Sequence, residues 1–372
     1  MKGYSVEEKK SAYGAKIKVI GVGGGGVNTI NHMIREGCDS QIDLIVANTD
    51  IQTLTDSLAK TQIQLGVNTT RGLGAGMDPQ IGRASGEESY EELKDALQYA
   101  DVVFIGSGLG GGTGTGASPI VAKAAKEQKA LTIGVVTTPF NFEGKKRMKF
   151  AKEGIEELKK ECDSVIVIPN EQLLNITDKK TSLTDAYKIV DDILVRAVRG
   201  MTSIILHTGL MNADITDIKR IMENRGLALM GIGSAKGENA AVEAVKDAIN
   251  SPLLENVSIA GSNGVLVHVK HHPDYSFIEI TQAMNIIQDQ IDEDADFKFS
   301  NTTDDKMDED VIEITLIATG FDCSKEKKVE NSEDFRRNRL DEILKNRKVS
   351  GGDFESFADI LDEPTVFRRQ MD

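Results

Sequence analysis

Two glycine-rich segments, each set between a hydrophobic run and a helical pattern, constrain this chain more than any other feature of its sequence. Of its 35 glycines, 19 lie between Gly21 and Gly116. The segments read GVGGGG at 21–26 and GSGLGGGTGTGAS at 106–118. A strand, a glycine turn and a helix in this order form the β-turn-α unit of an α/β domain, whose bare backbone can approach phosphate. We therefore expect a phosphate ligand here.

The first segment leaves the kind of phosphate ligand open. Gly21, Gly23 and Gly26 match the GxGxxG fingerprint of dinucleotide-binding domains. Asp50 lies near the position of a ribose-binding acid. A NAD or FAD site and a site for another phosphate ligand therefore fit this segment equally well.

The second segment argues against a dinucleotide-binding domain, which has no use for a second glycine loop. Residues 110–116 contain five glycines and two threonines, and the chain has no lysine-containing P-loop sequence. Such a loop offers backbone N–H donors and hydroxyl groups to a phosphate. A flexible hinge is the alternative, but a hinge has no need of Thr113 and Thr115.

Hydrophobic periodicity predicts alternating strands and helices in the first half of the chain. The predicted strands are 16–22, 42–47, 101–106, 130–136 and 164–168, and the predicted helices are 27–36, 51–58, 85–99, 117–128 and 144–161. This alternation is typical of a mostly parallel, doubly wound sheet.

The second half predicts a long helix and a second α/β domain. Residues 182–207 continue one helical pattern that is longer than usual, and we interpret it as a strut between domains. Beyond it we predict helices at 214–223, 238–249 and 276–291 and strands at 227–232, 264–269 and 311–318.

Charge and cysteine content exclude several classes of protein. The net charge of −15 argues against a nonspecific nucleic-acid binder, which needs a basic face. No apolar run approaches the ~20 residues of a membrane span, and residues 1–14 lack the core of a signal peptide. These two absences lead us to expect a cytoplasmic protein. Cys38, Cys162 and Cys323 form no CxxC pair, so we also expect reduced cysteines and no metal site.

An acidic run occupies residues 289–310, where ten acidic residues face only Lys298 and Lys306. The ordinary meaning of such a run is a solvated loop and helix end, which we expect here. A metal site is the alternative.

The motifs taken together resemble those of the tubulin/FtsZ family of GTPases. The resemblance extends in order from residue 16 to residue 322, and the chain's last residues add a further match. Its motifs are GVGGGGVN at 21–28, ANTD at 47–50, RGLGAGMDPQIG at 71–82, GGGTGTG at 110–116, TPFNFEGKKR at 138–147 and NADITDI at 212–218. This resemblance implies a tubulin-like α/β fold and a GTP ligand.

The resemblance also implies roles at the phosphate and ribose ends of the nucleotide. Ala75 and Gly76 would close over the γ-phosphate, and Glu143 and Arg147 would lie at the ribose and a nearby phosphate. The i,i+4 spacing of the latter pair fits a plain salt bridge equally well. The residues expected to hold the phosphates are Gly23, Gly24, Gly25, Asn28, Gly110, Gly111, Gly112, Thr113, Gly114, Thr115 and Gly116.

For the base, the resemblance implies that Asn170 and Asp192 read the guanine edge and that Tyr187 stacks nearby. An aspartate that accepts hydrogen bonds from guanine N1 and N2 would favour GTP over ATP. The chain departs from common versions of the motifs at Met77, Asp78 and Tyr187. None of these three departures threatens the fold or the ligand.

Asn212, Asp214 and Asp217 are the candidate catalytic residues. From spacing alone, Asp214 and Asp217 fit a helix N-cap with an acid three residues later. The resemblance implies instead that this loop completes the nucleotide site of a neighbouring subunit. Because carboxylates repel a triphosphate, they would orient water or a cation there. A monomer should then bind GTP and hydrolyse it poorly.

The implied function is a GTPase that assembles head to tail into filaments of a division ring at midcell, on the inner face of the membrane. GTP and GDP would be substrate and ligand, and Mg²⁺ would be held by phosphates and water. Two other readings stay open at this point: an NAD-dependent oxidoreductase, and a scaffold that uses GTP only to fold.

The last residues predict a binding peptide. Phe354, Phe357, Ile360 and Leu361 recur at near-helical spacing, which favours an amphipathic helix docked on a partner. A frayed end packed on its own domain is the alternative. The ending DEPTVFRRQMD resembles the family's recognition peptide, so FtsA-like tethering and regulatory proteins would bind Phe367, Arg368 and Arg369, with no direct membrane insertion.

These expectations divide the chain into six parts. They are a flexible arm at 1–14, a GTP-binding domain at 15–181, a connecting helix at 182–208, a C-terminal activation domain at 209–320, a flexible linker at 321–353 and the partner-binding peptide at 354–372.

Overall fold

The fold is built on β-turn-α units, as the glycine segments predict. We describe it from a computed structural model, which covers residues 15–37, 41–174, 181–206, 215–222, 227–251, 259 and 261–321. The first unit is strand β1, Ile17–Val22, which passes directly into helix α1, Gly23–Arg35. The arm at 1–14, the linker and the C-terminal peptide lie outside the described residues, apart from residue 321.

Within the described residues, ten strands form one sheet. They are β1, β2 (Ile42–Asn48), β3 (Thr61–Gln64), β4 (Val102–Gly108), β5 (Leu131–Thr138), β6 (Ser164–Pro169), β7 (Leu227–Lys236), β8 (Gly264–His271), β9 (Asp296–Thr303) and β10 (Val311–Thr319). Their spatial order is β3-β2-β1-β4-β5-β6-β7-β10-β8-β9. All pairs from β3 to β7 are parallel, whereas β10 runs antiparallel to both β7 and β8. The sheet is therefore mixed and mostly parallel.

Helices cover both faces of the sheet. After α1 they are α2 (Ile51–Thr55), α3 (Val67–Thr70), α4 (Pro79–Glu88), α5 (Tyr90–Ala96), α6 (Thr113–Glu127), α7 (Lys145–Glu161), α8 (Asn170–Leu173), α9 (Leu183–Leu206), α10 (Ile215–Met222), α11 (Ala240–Ile249) and α12 (Phe277–Gln288). No helix in the described part is long and apolar enough to cross a membrane.

Helix α9 supplies a buried stripe to the largest apolar core. Val190, Leu194, Val198 and Met201 recur at helical spacing on its buried face. They join a cluster that includes side chains of α1, β4, β5 and α10 and extends to Ile317 of β10. The long helical pattern predicted from the sequence is thus present as one helix over the described residues.

Several elements differ from the sequence predictions. The predicted helix at 85–99 is two helices, α4 and α5, which meet at Ser89. Helix α6 begins at Thr113, inside the glycine segment. The acidic run predicts a loop, but it contains β9, whose Phe297 and Phe299 pack partly buried against a second apolar cluster formed by β7, β8, β10, α11 and α12. The short elements β3, α3 and α8 were not predicted.

Candidate functional site

The two glycine segments meet at one edge of the sheet. β1 and β4 are neighbours in parallel register, with Gly21 opposite Gly106, so their carboxyl ends and the turns that follow lie side by side. A cavity of about 350 Å³ opens there. Its lining residues are Gly24, Gly25, Asn28, Gly108, Leu109, Gly111, Gly112, Thr113, Gly114, Thr137, Pro139, Glu143, Arg147, Asn170, Tyr187, Val190, Asp191 and Leu194. We call this the glycine-loop cavity.

One end of the glycine-loop cavity is suited to phosphate. Helices α1 and α6 both begin there without a side-chain cap, and neither has an acidic residue in its first turn. The first N–H groups of a helix have no partner within the helix, and the helix dipole makes this end positive. A Cβ placed on Gly24 or Gly111 would meet no protein atom within 4 Å, so open space lies above the backbone there.

Other glycines allow close backbone contacts within the second glycine loop and between the two loops. A Cβ on Gly114 would lie 2.5 Å from the carbonyl oxygen of Gly108. Gly23 has a φ of +72°, and a Cβ on it would lie 2.9 Å from the backbone nitrogen of Gly114. A side chain at Gly23 would push the two helix starts apart, whereas a side chain at Gly114 would push the start of α6 away from the end of β4. Both glycines therefore shape the site through backbone packing.

The two threonines of the second segment have different surroundings. Thr113 lines the cavity, and its Oγ1 lies 2.6 Å from Oγ1 of Thr49. The Oγ1 of Thr115 is turned inward and accepts a hydrogen bond from the backbone N–H of Gly110 at 2.9 Å. Thr115 therefore holds the loop in shape and does not line the cavity.

The same cavity also presents polar groups without full partners. Asn170 is 4% exposed, and its Oδ1 has no hydrogen-bond partner among the described residues. A buried amide oxygen in this state favours a ligand that can donate a hydrogen bond. Asp191 lies on the same cavity, and burial raises its pKa to about 6. The ring of Tyr187 packs edge-on against Phe140 at 5.5 Å between centroids.

Asp192, the predicted base-reading aspartate, does not line this cavity; its neighbour Asp191 does. The carboxylate of Asp192 instead contacts Nε2 of His32. Consecutive residues of an α-helix point about 100° apart, so only one of the two can face the cavity. Asp191 also accepts a hydrogen bond from Oγ1 of Thr29 at 3.3 Å.

Glu143 and Arg147 form the salt bridge that their spacing allows, and both also line the cavity. Glu143 has a second partner, because its Oε1 accepts a hydrogen bond from the backbone N–H of Phe140 at 3.0 Å. Burial and the charge of Glu143 raise the pKa of Tyr187. The carboxylate, guanidinium and phenol thus form one group at the cavity wall.

The predicted nucleotide-binding residues and the residues that line the cavity overlap only in part. Seven of the residues expected to bind nucleotide are not among its lining residues: Gly23, Ala75, Gly76, Gly110, Thr115, Gly116 and Asp192. Ala75 lies behind the second loop, because a Cβ on Gly112 would come within 2.8 Å of its Cβ. Sequence reasoning missed Gly108, Leu109, Thr137, Pro139, Val190, Asp191 and Leu194. The signal for Asp191 was its spacing of four residues from Tyr187.

Of the candidate catalytic residues, Asn212 and Asp214 lie outside the described residues. Asp217 lies in the first turn of α10, where its Oδ2 contacts Nζ of Lys298 on β9. It is not a lining residue of the glycine-loop cavity. Phe367, Arg368 and Arg369 also lie outside the described residues.

Two uncapped helix starts over glycine loops share one cavity with the polar groups of Asn170 and Asp191, an arrangement typical of nucleotide-binding α/β proteins. Residues 16–178 match the GTPase domain of the Tubulin/FtsZ family, and residues 226–322 match the C-terminal domain of the FtsZ family. The cell division protein FtsZ of Helicobacter pylori is 44% identical over 372 residues, covering 99% of this chain and 96% of that protein. The chain therefore belongs to the FtsZ family of tubulin-like GTPases.

Solved structures agree with this assignment. The FtsZ dimer of M. jannaschii is 43% identical and superposes with a TM-score of 0.78 over 82% of this chain and 88% of that one. CetZ2 from Haloferax volcanii, at 19% identity, has the same fold with a TM-score of 0.71 over 89% of this chain and 99% of that one.

Proposed function

We propose that this protein is a self-assembling GTPase whose subunits polymerise head to tail into filaments of the division ring. GTP would lie at each subunit interface, and its hydrolysis to GDP and phosphate would weaken the interface and return subunits. The protein would act in the cytoplasm at midcell, on the inner face of the membrane. Two findings support this proposal: the match to a GTPase domain, and the 44% sequence identity to a cell division protein over 99% of this chain.

The observation that carries this proposal is the separation of Asp217 from the glycine-loop cavity of its own chain. Hydrolysis needs a group that orients the attacking water at the terminal phosphate. Within the cavity, Glu143 is already tied to Arg147, and Asp191 accepts a hydrogen bond from Thr29, which lies in the second turn of α1 and not at its start. A second chain that brings Asp217, with Asn212 and Asp214, over the phosphates would complete the site in trans.

Exposed apolar side chains support assembly. Leu73 is 88% exposed and Met77 is 52% exposed, on the segment that leads into α4 beside the second glycine loop. At the start of α12, Phe277 and Ile278 are 79% and 69% exposed. Large apolar side chains left in water favour an interface. Two different surfaces that meet head to tail build an open polymer.

For nucleotide binding, we propose that the N–H groups of α1 and α6 hold the phosphates and that Asn170 and Asp191 read guanine. Glu143 and Arg147 would contact the ribose and a phosphate, with Tyr187 beside the base. Mg²⁺ would be held by phosphate oxygens and water, because Glu143, one of the cavity's two carboxylates, is engaged by Arg147. The ion would neutralise charge on the phosphates.

We also propose the division of labour expected from the sequence, with GTP binding in 15–181, the connecting helix at 182–208 and activation of a neighbour by 209–320. The C-terminal peptide would bind tethering proteins through Phe367, Arg368 and Arg369. Deleting residues 355–372 should leave GTP hydrolysis and filament formation nearly intact and abolish recruitment to tether-coated vesicles. A truncated protein that loses GTPase activity outright would contradict this division.

The test of the proposed function is GTPase activity and light scattering measured together on the full chain. After addition of GTP and Mg²⁺, scattering should rise above a threshold protein concentration and decay as GTP is consumed. The specific activity should rise at the same threshold, because each site needs a neighbour. Specific activity that is constant at every protein concentration would contradict a site shared between subunits.

A further inference from the structure

We propose that His32, Glu36 and Asp192 form a binding site for one divalent transition-metal ion, with Zn²⁺ as the best match, where the end of α1 meets α9. One ligand atom from each of the three side chains lies within 4.8 Å of the others. No member of this trio lines the glycine-loop cavity. The inference therefore does not depend on the proposed function.

The donor set matches the chemistry of the ion. Imidazole nitrogen together with carboxylate oxygen is a common ligand set for Zn²⁺, which takes three protein ligands and a water in open sites. Tetrahedral ligands about 2.0–2.2 Å from Zn²⁺ lie about 3.3–3.6 Å from one another. Nε2 of His32 lies 3.2 Å from Oε1 of Glu36, close to that separation. The Asp192 carboxylate contacts Nε2 more closely than this, so it would turn outward to admit the ion.

The two carboxylate oxygens of Glu36 contact different side chains. Oε2 accepts a hydrogen bond from Nη1 of Arg199 at 2.8 Å, which fixes the carboxylate and leaves Oε1 facing His32. An outer partner that orients a ligating carboxylate is a regular feature of metal sites. Arg199 is itself anchored, because its Nη2 donates to the backbone carbonyl of Gly37 at 2.9 Å.

Charge balance also favours a cation. Nε2 of His32 faces the carboxylates of both Glu36 and Asp192, and a single N–H cannot serve two acceptors fully. Asp191, the next residue along α9, adds a third carboxylate nearby. Two cations stand against these three carboxylates, since Arg199 contacts Glu36 and Arg196 lines the same cleft as Glu36 and Asp192. A divalent ion between the three ligands would satisfy both acceptors at once.

The metal ion would join two helices, α1 and α9. His32 and Glu36 stand at the end of α1, which begins at the first glycine loop, and Asp192 lies in α9. The side chains of His32 and Asp192 are 23% and 39% exposed, so an ion can reach them and the Asp192 carboxylate has room to turn. The ion would lock α1 against α9.

A second trio provides an internal comparison. His272, Asp274 and Glu309 also place one donor atom each within 4.8 Å of the others. There, however, Nδ1 of His272 already accepts a hydrogen bond from the backbone N–H of Asp274 at 3.2 Å. Binding a metal through that nitrogen would break the bond, so this trio is the weaker candidate and serves as a control.

The test uses the full chain, freed of metal by chelation and dialysed against Zn²⁺ or Co²⁺. We expect His32→Gln and Glu36→Gln to lower affinity at one Zn²⁺ site at least ~10-fold, since losing an outer partner alone costs about 10–100-fold. Bound Co²⁺ should give the strong visible absorption of a tetrahedral site, and both variants should lose it. His272→Gln should retain both signals.

Circular dichroism would check that each variant is folded. If one of them does not fold, Asp192→Asn would be tested in its place. The same Zn²⁺ stoichiometry and affinity in His32→Gln, Glu36→Gln and the unaltered protein would overturn the proposal. A loss confined to His272→Gln would overturn it equally and would move the site to the second trio.

Discussion

Asp191 and Asp192 are neighbours in α9 but face different surroundings, since Asp191 lines the glycine-loop cavity while Asp192 contacts His32. Burial raises the pKa of Asp191 to about 6. A carboxylate that is removed from water and left on a cavity wall is matched to a ligand that donates hydrogen bonds.

This relationship predicts unequal effects of two adjacent substitutions. Asp191→Ala should weaken GTP binding by about 1–3 kcal/mol, because the guanine donors would be left unpaired. Asp192→Ala should change GTP affinity little when Mg²⁺ is the only divalent ion present. Calorimetric titration of both variants with GTP and ATP measures the difference. Equal losses in the two variants would argue against assigning base recognition to Asp191.

The raised pKa of Asp191 also predicts a pH dependence. The folded state binds the proton more tightly than the unfolded state, so this group's contribution to the free energy of unfolding falls as pH rises from about 3.8 to about 6. GTP affinity should move the opposite way and drop below pH 6, where the protonated carboxyl accepts fewer hydrogen bonds.

Binding measured from pH 5 to 7.5 tests this dependence, with Asp191→Asn as the control. The nucleotide's own terminal phosphate titrates in the same range, with a pKa of about 6, and the control retains that contribution. Identical pH profiles for the unaltered protein and Asp191→Asn would exclude the carboxyl as the source.

Gly24 offers a substitution that separates folding from phosphate binding. A Cβ at this position meets no protein atom within 4 Å, and alanine is favoured over glycine within a helix by about 0.5–1 kcal/mol. Gly24→Ala should therefore fold at least as stably as the unaltered chain. Its methyl group would stand where phosphate approaches α1, which should weaken GTP binding by about 1–3 kcal/mol.

Gly106→Ala is the matched control for Gly24→Ala, because its Cβ also meets no atom within 4 Å and Gly106 does not line the cavity. Thermal unfolding and nucleotide titration of the two proteins should separate them. Full GTP affinity in Gly24→Ala would show that the phosphates lie elsewhere.

The proposed action of Asp217 on a neighbouring subunit predicts complementation. Asp217→Ala should retain GTP binding and lose most GTPase activity. Mixing it with Gly24→Ala, a variant expected to be weak in binding but with Asp217 intact, should recover activity at mixed interfaces. Asp296→Ala removes another carboxylate paired with α10, through Arg220, and should retain activity. Mixed filaments that stay inactive would count against catalysis in trans.

The elements that the sequence predicts well are those with a strong local pattern. β1 and β4 could be placed because apolar runs lead directly into glycine, and α9 because its apolar residues keep a helical period. The split at Ser89 could not be predicted, since the helical pattern continues through it. In β9 the count of acidic residues concealed an alternation in which Phe297 and Phe299 point inward.

The candidate site was predictable in kind but not in each residue. The glycine loops predict phosphate because few other functions need bare backbone there. The choice between Asp191 and Asp192 depends on the rotation of α9, which a run of two aspartates does not by itself reveal. The four-residue spacing from Tyr187 to Asp191 is the one local signal of that rotation. Likewise, the role of Thr115 depends on its hydrogen bond to Gly110, a contact set by the loop's tertiary shape.

The contact between the two glycine loops also bears on how the chain folds. Gly23 and Gly114 touch only after β1 has paired with β4, which joins Ile17 to Val102 across a long stretch of intervening chain. Pairing of strands so distant in sequence is slow, because the entropy of closing the intervening loop is lost first. A nucleotide that binds only the joined loops would stabilise this late step. Nucleotide supply would then influence how much of the newly made chain reaches its folded state.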